Sequence, residues 1–159
     1  IDTQDLTEVA RIPVGAAPVQ VGFTPSGDQV YVSLRDENRM AVIDTASREV
    51  MNRIDVGPNP IQMVATPDGA YVYVANQGTD AEPNNTVSVI DTATGQVVKT
   101  LATGGGAHGV SVSTDGAFVF VTNIADDTVS IIDVATQDVV KTVPVGDRPN
   151  GIVYGRSSR

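Results

Sequence analysis

The sequence predicts an all-β chain: a β-propeller arc of four-stranded antiparallel blades, about three of them whole and one partial. Three observations predict it. A unit of about 42 residues repeats along the chain, every unit divides into four short β-rich runs, and some of those runs are apolar on both faces. Ile1-Asp2-Thr3 recurs as Ile43-Asp44-Thr45, Ile90-Asp91-Thr92 and Ile132-Asp133-Val134, at spacings of 42, 47 and 42. Val14-Gly15, Val56-Gly57, Thr103-Gly104 and Val145-Gly146 keep the same spacings. So does the turn Pro25-Ser26-Gly27, repeated as Pro67-Asp68-Gly69 and Thr114-Asp115-Gly116. The middle unit is five residues longer, and the excess falls in one loop, residues 77–85, where the other copies have 35–38 and 124–127.

The second copy shows how each element is justified. Residues 61–66 form a short apolar run closed by a Pro-Asp-Gly turn, in which proline presets φ and glycine takes positive φ. Residues 70–76 alternate Tyr71 and Tyr73 on one face with Val72 and Val74 on the other. Residues 86–91 make the third strand, and residues 96–101 the fourth, after a Thr-Ala-Thr-Gly turn. β-branched and aromatic residues dominate, and turn signals come too often for helices. A second strand that is dry on both faces fits a sheet packed between two similar sheets, not a sandwich with one wet face. The blades are expected at 19–56, 61–103 and 108–145 within a single domain of 1–159, with a partial blade shared between 1–14 and 149–154. There residues 8–13 are the fourth strand and residues 150–154 the first.

The tetrads Tyr73-Val74-Ala75-Asn76 and Phe120-Val121-Thr122-Asn123, with Thr86-Val87-Ser88-Val89-Ile90-Asp91-Thr92 and the Pro-Asp-Gly turn, resemble the signature of the YVTN β-propeller repeat family. The first copy departs from it, with Tyr31-Val32-Ser33-Leu34. The resemblance implies an extracytoplasmic bacterial or archaeal protein, periplasmic, secreted or on the cell surface, and most often seven blades. Three whole blades are fewer than a closed propeller uses. The chain is therefore expected to be the C-terminal part of a longer propeller, or else to pair as a homodimer.

Composition narrows the function. Ten Lys and Arg against nineteen Asp and Glu give a net charge of −9, which disfavours nucleic acid as a partner. No apolar run is long enough for a membrane-spanning helix. With no cysteine there is no thiolate metal site and no cysteine nucleophile. Gly104-Gly105-Gly106 precedes a strand, not a helix, so it is no phosphate loop. Residues 155–159 form a small basic tail, read as a frayed terminus.

In a propeller the connectors from strand four to the next strand one share a face, here the upper face, with the loops joining strands two and three. On it the three outer loops carry Asp36, Glu37, Asp80, Glu82, Asp126 and Asp127 against Arg35 alone. The insertion lies there too, and insertions in repeat proteins often map to the binding side. His108, the only histidine, breaks the repeat where Val19, Ile61 and Asn150 are its counterparts. It reads either as a ligand or general base at the channel mouth, or as a histidine bonded to a neighbouring loop. Arg148, Asn150, Gln20 and Gln62 fall near the same rim, and with His108 they make the candidate ligand-binding set. Arg148 either clamps an anion or pairs with a carboxylate. Asp44, Asp91 and Asp133 recur in every copy, as a turn does and an active site does not. No catalytic residue, metal site or cofactor is assigned. The leading reading is a binding module for a protein or small molecule on the upper face. The alternative is an enzyme, like the d-type haem domain or lactonase propellers.

Overall fold

A computed structural model describes residues 1–155. The basic tail therefore lies almost wholly outside the described residues. Among the described residues, twelve strands form three antiparallel four-stranded sheets, each in simple sequence order. The first blade holds β1 (Pro18–Phe23), β2 (Gln29–Leu34), β3 (Arg39–Asp44) and β4 (Glu49–Asp55). The second holds β5 (Pro60–Ala65), β6 (Tyr71–Gly78), β7 (Pro83–Asp91) and β8 (Gln96–Ala102). The third holds β9 (Ala107–Val112), β10 (Phe118–Asn123), β11 (Thr128–Asp133) and β12 (Asp138–Pro144). A three-residue 3₁₀ turn, Arg35–Glu37, follows β2.

Alternation along the strands explains the packing. On β6, Val72 and Val74 face the first blade and join Tyr31, Met40, Val42, Ile54 and Met63 in one core. Tyr73 and Ala75 face the other way, against Val110, Val119, Val121 and Ile132 of the third blade. Both faces of the second blade are thus buried, as its sequence requires. Hydrogen bonds also cross between blades: Ser33 Oγ donates to the Ile61 carbonyl at 2.8 Å, and Gln20 Oε1 accepts from the Met63 amide at 2.5 Å.

The recurrent aspartates are turn residues. Asp44, Asp91 and Asp133 each accept the amide three residues on, from Ser47, Thr94 and Thr136 at 2.7, 2.8 and 2.9 Å. The turn then closes through a left-handed residue, Arg48, Gly95 or Gln137. These bonds hold the Asp44 and Asp91 carboxyls below their usual range. Asp68 and Asp115 accept from Thr66 Oγ1 and Ser113 Oγ and from the Ala70 and Ala117 amides.

The asparagine that ends the tetrad has a specific place. Asn76 and Asn123 are fully buried and donate to Thr86 and Ser88, and to Thr128 and Ser130. A Cβ on Gly57 would lie 2.5 Å from Asn76, and one on Gly104 2.7 Å from Asn123. The repeated connector glycine is therefore the space into which the asparagine packs. Each outer strand also bulges by one residue against strand three of its blade, at Met51, Val98 and Val140.

The two terminal segments expected to share a partial blade are not paired with each other. Neither residues 8–13 nor residues 150–154 form a strand. The described residues contain no second or third strand for them to pair with. The two segments also lie at opposite ends of the arc. Ile12 and Val14 pack against the first blade, while Tyr154 stacks on Phe120 of the third at 5.8 Å.

Candidate functional site: the upper face

The upper face is built by hydrogen bonds between each connector and the loop joining strands two and three. The Arg35, Gln77 and Ile124 amides donate to the carbonyls of Ala17, Asn59 and Gly106. Those three connector residues and Arg148 all take positive φ, 47°, 50°, 69° and 47°. Side chains complete the frame. Glu37 accepts the Ala16 amide, and Asp126 Oδ2 accepts the Gly105 amide at 2.7 Å. Asn38 Oδ1 accepts from Asn59 at 2.9 Å, and Asp127 Oδ1 from Arg148 at 2.8 Å. Three of the six loop acids are thus committed to backbone amides, and Asp36 pairs with Arg35 at 2.7 Å. The acidic loops are a fastening system before they are a charged surface. A recurring pair was the available signal: Glu37 and Asn38 stand in register with Asp126 and Asp127.

The second copy lacks this fastening where it carries its insertion. Pro58 stands where Ala16 and Gly105 stand and has no N–H to donate. No acid is needed opposite it, and the loop there extends as a hairpin. β6 and β7 run on to pair Gly78 with Pro83. Gly78 has φ 71° and no room for a Cβ, which would fall 2.3 Å from the Asn84 amide. The tip is closed by Thr79 and Glu82, each donating its amide to the other. Asp80 at this tip comes within 3.8 Å of Arg148 Nη2 on the connector that leaves the third blade. Between them lies a small hollow of about 30 Å³, lined by Gln77, Thr79, Gly106, Ile124 and Ala125.

The candidate residues do not gather at one point. Gln20 is tied to β5 through the Met63 amide, and Gln62 is half-buried on β5. Arg148 is exposed and faces the inserted hairpin. His108 and Asn150 do come together. The His108 ring is half-buried, and its Nδ1 is buried without a hydrogen-bond partner. Burial lowers its pKa below 6.5, and the neighbouring Asn150 backbone opposes that shift. One step along, a Cβ on Gly109 would meet Gly151 Cα at 3.0 Å. Among the described residues no group of three or more His, Cys, Asp or Glu is placed to hold a metal ion.

Blades of four antiparallel strands, apolar between blades and fastened by loops on one face, define a β-propeller. The chain belongs to the YNCE-like beta-propeller family, whose description matches residues 63–157. No curated protein matches it. Among solved structures it resembles a chain of Kuenenia stuttgartiensis hydrazine synthase, with a TM-score of 0.78 and 24% identity. The match covers 92% of this chain and 40% of that one, and it bears on the fold alone.

Proposed function

We propose that this chain belongs to a YVTN-type propeller exported from the cytoplasm, which binds a partner on its upper face, and that the inserted hairpin marks the place. The observation that supports this reading is the break in the repeat at Pro58 and the loop opposite it. Only the second copy drops its connector amide and lengthens its loop, and the lengthened loop brings Asp80 to Arg148. At 3.8 Å, with both side chains largely exposed, that pair is weak. The guanidinium is therefore available to a carboxylate carried by a protein or a small molecule. Export rests on the family resemblance. His108, Gln20 and Gln62 lie on the inner strands β9, β1 and β5, with Asn150 beside His108, where they would contact the part of a ligand reaching the channel mouth.

The test is a titration with succinate and citrate, followed by backbone amide shifts. Shifts confined to Thr79, Gly106 and Arg148, lost in Arg148→Ala with stability unchanged within about 0.5 kcal/mol, support the site. Shifts elsewhere, or undiminished binding in Arg148→Ala, overturn it.

A further inference from the structure

The two boundaries between blades differ on the lower face, the end opposite the connectors, where the Pro-Asp-Gly and Asx turns lie. Between the second and third blades, Tyr71 and Val134 fill the boundary and pack into the core. Between the first and second, Gln29 stands in register with Tyr71, Thr92 with Val134 and Asp28 with Ala70. Polar side chains thus replace two apolar fillers and an alanine, and a cavity of about 250 Å³ opens there. Thr24, Ser26, Asp28, Gln29, Asp68 and Thr92 are among its walls. A second hollow, of about 130 Å³, shares Gln29 and Thr92 and is walled beyond them by Tyr31, Val42 and Met51. Both hollows reach the interior: Thr24 is 5% exposed, Tyr31 1% and Val42 3%.

The walls decide what would fill the space. The first copy has moved its turn acid two residues along: Ser26 holds the place of Asp68 and Asp115, and Asp28 takes the hydroxyl bonds. The hydroxyl protons are already spent. Thr24 and Ser26 donate to Asp28 Oδ1, and Thr92 donates to the Gly69 carbonyl. Asp68 Oδ1 likewise accepts from Thr66 and from the Ala70 amide. These bonds hold both carboxyls below their usual range, so both are charged at neutral pH. Each keeps its other oxygen, Oδ2, outside them. Among the described residues no lysine, arginine or histidine lines either hollow. The first hollow therefore offers acceptors and negative charge, and it suits a donor that carries positive charge. Two carboxylates without a third are a poor cage for a metal ion. They suit an ammonium, whose three N–H groups each take an acceptor. The apolar wall of the second hollow suits a carbon stem.

We propose that this cavity binds a small organic ammonium ion, a primary amine with its head at Asp28 and Asp68 and its stem along Tyr31, Val42 and Met51. The net charge of −9 draws such cations toward the chain. The site lies at the opposite end of the blades from Arg148, so it stands or falls separately from the carboxylate site there.

A titration with butylamine at pH 7, where the amine is protonated, followed by backbone amide shifts, tests this. Saturable shifts at Asp28, Gln29 and Ala93 are expected, with butanol and calcium chloride leaving those resonances in place. Asp28→Asn should weaken binding at least ~10-fold, the worth of one charge-assisted hydrogen bond. Because Asp28 also holds its own turn, a second variant fills the cavity instead: Gln29→Tyr with Thr92→Val, the pair that the next boundary uses. It should keep a β-rich circular-dichroism spectrum and abolish the shifts. Butylamine giving no saturable shift overturns the proposal. So does butanol or calcium moving the same resonances, or either variant binding butylamine as the parent does.

Discussion

Tyr73 and Tyr31 occupy the same position in successive blades, yet removing their hydroxyls should have opposite effects. Both rings are buried. Tyr31 donates to Gln29 Oε1 at 3.3 Å, whereas the Tyr73 hydroxyl is buried with no partner. A buried hydroxyl without a partner costs about 1–3 kcal/mol in desolvation, and a hydrogen-bonded one contributes about 1 kcal/mol. Tyr73→Phe should therefore stabilise the chain by ~1 kcal/mol or more, and Tyr31→Phe should destabilise it slightly. The third blade already has Phe120 in register. Alkali sharpens the contrast. Burial pushes the Tyr73 pKa from 10.0 up to about 12. The folded state holds this proton more tightly than the unfolded chain does. The associated stability is complete below pH 10.0 and is lost as pH rises through about 12. At ~1.36 kcal/mol per pH unit the loss approaches ~3 kcal/mol, and Tyr73→Phe should abolish it. Urea unfolding of the three chains at pH 7 and across the alkaline range measures both effects. If Tyr73→Phe proved less stable than the parent at pH 7, or equally sensitive to alkali, the hydroxyl would not be stranded as described.

Gly104→Ala should cost ~2 kcal/mol in urea unfolding, since its Cβ would lie 2.7 Å from the buried Asn123. The cost should shrink when Asn123 is also replaced by alanine, and an unchanged cost would show that the glycine serves something else. His108, with its pKa lowered mainly by burial, favours the neutral ring in the folded state. Its contribution is complete above about pH 6.5 and is lost as pH falls through the lower folded value. His108→Gln should flatten that part of the stability profile, and a profile identical to the parent's would refute the assignment.

The three blades were legible because their signals are local. A Pro-Asp-Gly turn, an Asx turn at Asp91 and alternation at Tyr71–Val74 each announce themselves within a few residues. The segments at 8–13 and 150–154 carry the same patterns, yet they form no strand, because a strand also needs a neighbour to pair with. The acids of the upper loops misled in another way. Sequence displays the charge of Glu37 and Asp126 but not the amides of Ala16 and Gly105 that they meet some twenty residues away. The left-handed turns at Arg48 and Gln137 were hidden because only the middle copy spells them with glycine. Of the candidate rim residues, Gln20, Gln62 and His108 lie on β1, β5 and β9, while Arg148 and Asn150 lie in no strand. What each one binds depends on side-chain reach, as when Gln20 turns to the Met63 amide.

Pro58 implies a rule for altering the upper face. Wherever a connector amide is present, the loop opposite must supply an acceptor at a fixed distance, and its length is constrained. Where proline removes the amide, the loop carries no such obligation, and the second copy has lengthened there. Proline at Ala16 or Gly105 would release Glu37 or Asp126 in the same way and open a second graftable position. Loop diversity could then be introduced one blade at a time, leaving the sheets beneath untouched.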